Sequence, residues 1–346
     1  VSGRFVLPLL LTLGLLLALF IAPRQDSAAS LRLEGRTMGT TWSVLLGRVP
    51  AGVRPDTLQP LLQQQLERIS RLMSTYDPGS EISRFNDSSS TAWFPVSAET
   101  AAVVALAQET SRLSGGAFDV TIGPLVELWG FGPGPRRDRR PAAADIAAAR
   151  RNVGYGRLQV RLSPPALRKE VPGLRLDLSA VAKGYAVDRL AEILMERGMR
   201  DMVVEIGGEM RIVGRHADGT PWRIAVEKPE AGPSRVERAF LLPDTGMATS
   251  GNYRNFFVAE GERYAHTIDP VSGLPVRHRL ASATVIDPSC ARADALATAL
   301  MVLGEERAQE LCRRQRIAAY LLIHQGEGTR AVMTDAFRAV LDGVGQ

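Results

Sequence analysis

The sequence predicts an α+β fold, and three observations carry that reading. Helices interrupt groups of strand-like segments at irregular intervals, which argues against a regularly alternating α/β chain. No internal repeat is visible. No G-x-G-x-x-G opens a β-α-β unit and there is no P-loop, so the common nucleotide cradles are excluded. The 346 residues suffice for one large domain or two small ones with a sizeable core.

Composition narrows the function classes. The net charge is +5, and only Arg136-Arg137-Asp138-Arg139-Arg140 concentrates it. That run lies in the Gly/Pro-rich stretch Gly130 to Pro141 and reads as a solvated loop. With no zinc-finger spacing and no RNA-binding aromatic signature, it argues against nucleic-acid binding. The two cysteines, Cys290 and Cys312, form no C-x-x-C, so pairing and free thiols both stay open. The four histidines make no zinc-ligand pattern with them.

In order along the chain, Arg4 precedes a leucine-rich run from Phe5 to Ala22, followed by Pro23, Arg24 and Ser27-Ala28-Ala29. The run is near the lower limit for spanning a bilayer, about 17 residues, and the small residues permit cleavage. Residues 1–29 are expected to be a signal peptide or an N-terminal membrane anchor, with one exported domain over 30–346. Leu31 to Leu46 reads as strand, Met-Gly-Thr turn, strand. Leu58 to Met73 has helical spacing, and the Asp77-Pro78-Gly79 turn follows. Ser97 caps a helix through Leu113, which Gly115-Gly116 ends. Asp145 starts a short helix. Met202 to Val213 is strand, Gly207-Gly208 turn, strand. Trp222 to Val226 and Arg238 to Leu242 are strands, and Met247 to Asn252 is a small-residue turn. His266 to Pro275 is a strand end entering a tight turn. Ser282 to Ile286 is a strand. Two helices follow, Ala291 to Leu303 and Glu305 to Arg316, divided at Gly304. Ala318 to Ile323 with Ala331 to Thr334 forms a last hairpin.

The chain is organised around Leu174 to Asp188, LRLDLSAVAKGYAVD. Leu174, Leu176 and Leu178 alternate with Arg175, Asp177 and Ser179, the pattern of a half-buried strand. From Val181 the spacing becomes helical and runs to Gly198, with Ser179 placed as the N-cap. Asp177 would then leave a strand beside a helix start, with Lys183 in the first turn. Free N–H groups and positive potential at a helix start suit phosphate. A plain structural turn is the competing reading. Against it stands the scarcity of lysine, with only Lys169, Lys183 and Lys228 in the chain. A compact ammonium is one reason to keep a lysine where arginine is otherwise used.

Other residues could carry chemistry. On the helix from Ala293 to Leu303 the polar side chains are Asp294 and Thr298, four apart and on one face. A carboxylate and a hydroxyl offer hard-oxygen ligation, which suits Mg²⁺. The alternative is an Asp294–Arg292 pair with Thr298 bonded back to its own helix. His266, before an Asp-Pro turn, could take a proton from a hydroxyl nucleophile or be a histidine held by backbone bonds. Met38, Tyr76 and Phe118 are candidates to contact a flat ring, or ordinary core.

Eight segments in order complete a pattern: MGTTWS at Met38, MSTYDPGSEISRFN at Met73, GGAFDVTIGPL at Gly115, LDLSAVAKGYAVD at Leu176, EIGGE at Glu205, ATSGNY at Ala248, HTIDPVSGLPV at His266 and ADALATALMVLG at Ala293. Together they make the chain resemble the ApbE-type FAD:protein FMN transferases, from about Met38 to Ala336. The resemblance implies a T-fold-related α+β architecture with mixed or antiparallel sheets packed with helices. It implies FAD as substrate, Mg²⁺ as cofactor, and transfer of FMN onto a threonine hydroxyl of an acceptor flavoprotein with release of AMP. It implies an acceptor in a membrane electron-transport complex and a location in the bacterial periplasm or on the outer face of the inner membrane. Carried over by position, Met38, Tyr76, Ala117, Phe118, Asp119, Asp177, Lys183 and Ile268 would contact FAD. The carbonyl of Ala180 and the side chains of Asp294 and Thr298 would hold the metal. His266, Lys183 and Asp294 would serve the chemistry. Glu205 and Glu209, which flank the Gly-Gly turn, receive no role. Two other readings remain: a pyrophosphatase cutting FAD to FMN and AMP, and a non-enzymatic exported flavin-binding protein.

Overall fold

An eight-stranded sheet forms the spine of the computed structural model, which describes residues 30–50, 53–135, 138–229, 235–252, 255–326 and 328–344. The expected leader at residues 1–29 lies outside these. Among the described residues no helix is long and apolar enough to cross a membrane.

The chain begins with the hairpin β1 (Leu31–Thr37) and β2 (Thr40–Leu46), turned at Met38 and Gly39, both with positive φ. Helices α1 (Pro55–Met73), α2 (Glu81–Asp87), α3 (Ala98–Leu113), α4 (Gly123–Leu128) and α5 (Ala143–Arg150) follow. Between and after them, β3 (Phe94–Pro95), β4 (Leu158–Leu162) and β5 (Pro165–Lys169) make a small sheet in the order β3-β5-β4. Then come α6 (Ala182–Glu196), β6 (Met202–Ile206), β7 (Glu209–Val213), the pair β8 (Trp222–Glu227) and β9 (Val236–Leu242), and β10 (Thr245–Gly251). The hairpin β11 (Phe256–Ala259) and β12 (Glu262–Ala265) precedes β13 (Leu280–Asp287), α7 (Cys290–Gln315), β14 (Ala318–Gln325), β15 (Gly328–Met333) and α8 (Asp335–Val344).

The large sheet runs β1-β2-β6-β7-β10-β13-β14-β15, and every described pairing in it is antiparallel. Its central strands are covered on both faces. Met202, Val204 and Ile206 of β6 pack into the core that includes Val181, just before α6, and Ala186 and Leu190 on it. Val203, Ile212, Tyr320 and Leu322 face the opposite way, against Trp222 and Phe240 of the β8–β9 hairpin and Phe337 of α8. Burial on both faces is why β6 and β14 read as largely apolar runs rather than as alternating ones.

The structure corrects the reading of the central stretch. Leu174, Leu176 and Leu178 are fully buried, as the alternation predicts. The segment is not a ladder strand, though: its one β-bridge joins Arg175 to Ile122. Its backbone is satisfied elsewhere. Leu176 N–H donates to Asn86 Oδ1 (2.7 Å), Asn86 Nδ2 donates to Leu176 O (2.8 Å), and Asp177 N–H donates to Val120 O (2.8 Å). Ser179 is not the N-cap. The helix starts at Ala182 with Val181 before it and no side-chain cap. Ser179 instead donates its N–H to Asp177 Oδ1 at 2.8 Å, closing an Asx-type turn. Residues 247–251, read as a turn, belong to β10. Gly304 does break the last long helix, with φ 74° and ψ 176°. Cys290 and Cys312 are both free and buried.

Candidate active site

A cleft of about 410 Å³ opens where the helical side of the sheet meets the loops after α3 and before α6. It is lined by Tyr76, Ala117, Phe118, Asp119, Asp177, Ala180, Lys183, His266, Ile268, Asp294 and Thr298, with Glu209 among their neighbours. The expected site residues thus converge from five separate stretches of chain. Met38 is not among the lining residues. It sits at the β1–β2 turn with φ 47° and packs against the main core.

At the floor of the cleft, α6 and α7 touch. Gly184 permits this: a Cβ there would stand 2.7 Å from Ala291 Cα and against the Cys290 carbonyl. The close approach lets Gly184 N–H, one of the free donors of the first helical turn, reach Asp294 Oδ2 at 3.1 Å. Asp294 is 2% exposed and does not pair with Arg292, whose guanidinium goes to Glu109 and Asp287. Lys183, one residue earlier on α6, reaches across to Glu209 Oε1 at 2.7 Å. Thr298 Oγ1 meets Ser250 Oγ at 3.0 Å instead of bonding back to its helix.

The charges here are held away from water, and the balance is acidic. Glu209 is 3% exposed. Burial pushes its carboxyl up to about 8 against the pull of Lys183, and Asp294 adds to the rise. Burial likewise raises Asp294. Burial would lower Lys183, but the carboxylates of Asp294 and Glu209 outweigh it and hold the ammonium above its ordinary range. Glu209 Oε2 is buried without a hydrogen-bond partner. Two carboxylates therefore share one ammonium, the setting in which a further cation is stabilising. Among the described residues no three His, Cys, Asp or Glu side chains form a metal-binding group. The donors available beside the cleft are mixed oxygens: the Asp294 carboxylate, the Thr298 hydroxyl and the Ala180 carbonyl. Such a set fits Mg²⁺, which takes few protein ligands.

The remaining residues form the walls. His266 follows β12, and its Nδ1 lies 3.1 Å from Asn255 O. A carbonyl only accepts, so Nδ1 carries the proton and Nε2 is left as the acceptor. Desolvation lowers the imidazole pKa, and Lys183 lowers it further. The turn after His266 is tied by Asp269, which accepts from Val271 N and Ser272 N at 3.0 and 3.2 Å. Asp119 lines the cleft, but its carboxylate is taken by Thr121 N and Oγ1 and by Tyr155 N. Tyr76 stands 65% exposed, its hydroxyl donating to Phe131 O at 3.2 Å. Glu209 is the residue that reading by motif passed over.

Comparison with known proteins places this geometry. A sequence model of the ApbE family matches residues 38–321. The chain is 41% identical to the FAD:protein FMN transferase of Vibrio cholerae serotype O1, over 93% of this chain and 96% of that protein. It is 40% identical to the FAD:protein FMN transferase of Salmonella typhimurium, over 92% of each. The solved flavin transferase ApbE from Vibrio cholerae aligns with a TM-score of 0.84 at 40% identity, covering 90% of this chain and 99% of that one. The apo form of Pseudomonas stutzeri flavinyl transferase ApbE aligns with a TM-score of 0.84 at 39% identity, covering 92% and 99%. With two thirds and more of the sequence matched in each of these ways, this chain belongs to the ApbE family.

Proposed function

We propose that the chain is a FAD:protein FMN transferase, moving FMN from FAD to a threonine hydroxyl of an acceptor flavoprotein and releasing AMP. The observation that carries the reading is the convergence of Lys183, Asp294, Thr298 and His266 on one cleft in a chain about 40% identical to transferases of that name.

In the reaction, the acceptor hydroxyl attacks the FMN-side phosphorus. A threonine O–P bond forms, the bridging O–P bond breaks, and AMP departs with the bridging oxygen and its electron pair. His266 Nε2 takes the hydroxyl proton, since Nδ1 is engaged with Asn255 O and the lowered pKa keeps the ring neutral. Lys183 presents fixed positive charge to the pyrophosphate. Ala180, Asp294 and Thr298 would hold Mg²⁺, which when bound would offset charge on the pyrophosphate and on departing AMP. Ile268, Phe118, Ala117 and Tyr76 form the flavin-side wall, with Asp177 and the backbone around Asp119 beside it. Met38 belongs to this set by family position alone.

The acceptor is a flavoprotein of a membrane electron-transport complex, and the chain works in the periplasm or on the outer face of the inner membrane. The leucine-rich stretch Phe5 to Ala22 supports this. One incubation tests the function. With FAD, Mg²⁺ and a threonine-bearing acceptor, covalently fluorescent acceptor is the expected product. Free FMN would make the chain a pyrophosphatase, and unchanged FAD a carrier. Cell fractionation tests the location.

A further inference from the structure

Glu209 opens β7 at the edge of the cleft, and its two carboxylate oxygens have different fates. Oε1 is 2.7 Å from Lys183 Nζ. Oε2 is buried and meets no donor, although the residue lines the cleft. Its neighbour across the turn is the contrast. Glu205 spends both oxygens, on Gly208 N–H (2.7 Å) and Ser43 Oγ (3.3 Å), and so pins the Gly207–Gly208 turn. A carboxylate oxygen left bare in a buried, cleft-facing position points to a ligand atom.

The chemistry of that atom is constrained. Where Glu209 is ionised beside the Lys183 ammonium, a phosphate oxygen is excluded, because like charges would meet. The partner is either a cation or a hydrogen-bond donor. One Mg²⁺ is already provided for by Ala180, Asp294 and Thr298 in the function proposed above, on which this step rests. FAD brings ring N–H, amino and hydroxyl donors, but Glu209 is tied to Lys183, which faces the pyrophosphate, and the donors flanking the phosphorus to be attacked are hydroxyls: those of the sugar chain of the FMN half, and that of the acceptor threonine. We infer that Glu209 is a substrate-contacting residue, whose Oε2 accepts a hydrogen bond from a substrate hydroxyl while Oε1 fixes the Lys183 ammonium.

The test uses Glu209→Leu and Glu209→Gln in the full chain with Mg²⁺, each alone and in a Lys183→Met background. Two quantities are read: the FAD dissociation constant without acceptor, from flavin fluorescence, and kcat/KM for the acceptor. If the hydroxyl is the flavin's, Glu209→Leu weakens FAD binding about tenfold. If it is the threonine's, FAD binding holds and kcat/KM for the acceptor falls about tenfold. Glu209→Gln, which keeps an acceptor for Lys183, recovers part of the loss. In the Lys183→Met background at least about a threefold loss persists.

Disappearance of the effect in that background would show that Glu209 acts only through the lysine, overturning the inference. So would a change confined to the Mg²⁺ half-saturation point, or no change in either quantity. Should Glu209→Leu fail to fold, a twofold or larger change in Glu209→Gln carries the same decision. A wild-type chain that binds FAD but never labels an acceptor refutes the proposed function, and the FAD titrations then still decide on Glu209.

Discussion

Lysine is scarce in this chain, and two of its three lysines occupy built seats. Lys169 is fully buried, its Nζ donating to the carbonyls of Phe85, Asn86 and Leu174 at 3.1–3.2 Å. Lys183 sits between Glu209 and Asp294. That scarcity made Lys183 legible in the sequence. Glu209 was less legible, because two glutamates flank the Gly-Gly turn and no periodicity separates them. The hairpin register does separate them. Glu209 pairs with Ile206 and shares its face, below α6, whereas Glu205 pairs with Met210. Assigning faces from the two-residue turn would have found it. Two predictions live at this scale. Asp294→Asn should cut transfer by more than about a hundredfold while FAD binding only weakens; a wild-type labelling rate would refute the metal-ligand role. Gly184→Ala should destabilise by about 1–3 kcal/mol, because its Cβ meets backbone of α7 rather than a movable side-chain tip. Urea denaturation measures that loss.

Elements were legible where a regular ladder or helix coincides with an apolar period; β10, a ladder strand rich in small residues, was read as a turn. The β1–β2, β6–β7 and β14–β15 hairpins and the helix capped by Ser97 stand where turn chemistry and spacing put them. The segment before α6 deceived the pattern because its backbone partners are Asn86 and Val120, remote in sequence; period-2 alternation reports burial, not ladder membership. The junction of α6 with α7 was likewise invisible. Asp188, one residue of the helical run, accepts from Ser289 Oγ, Cys290 N and Ala291 N at 2.9–3.0 Å. It caps the start of α7 from a different helix and favours the positive end of its dipole. This fixes the helix bearing Asp294 and Thr298 relative to the one bearing Lys183. Asp188→Ala should lower stability by about 1–2 kcal/mol and raise the Mg²⁺ concentration needed for half-maximal transfer. Unchanged thermal unfolding together with an unchanged Mg²⁺ requirement would remove this role from Asp188.

Across the whole molecule the buried acids act in one direction. Asp119, Asp188, Glu205, Glu209 and Asp294 each have a carboxyl pushed up, with burial as the largest cause. A carboxyl that holds its proton more tightly folded than unfolded contributes stability at low pH. That contribution is lost as pH climbs from the unfolded value to the folded one, because the unfolded chain then binds fewer protons. For Glu209 the window runs from the ordinary value of 4.5 to about 8. Lys169, lowered to about 8 by burial, acts the other way, and only above that value, where its folded form has already released its proton. The exposed pairs that depress Glu262 and Glu305 are screened by solvent and weigh little. In EDTA the thermal midpoint should therefore fall between about pH 5 and about pH 8. Mg²⁺ should restore more stability at the upper end, where a larger share of the buried carboxyls is ionised, than at the lower. Glu209→Gln removes one carboxyl from the window without removing bulk, so its midpoint should fall less steeply toward pH 8 than that of the wild type. Melting curves at the two pH values, with EDTA and with Mg²⁺, read all three expectations. A wild-type midpoint in EDTA that rises toward pH 8 would mean that the acids around Lys183 are not held against their charge.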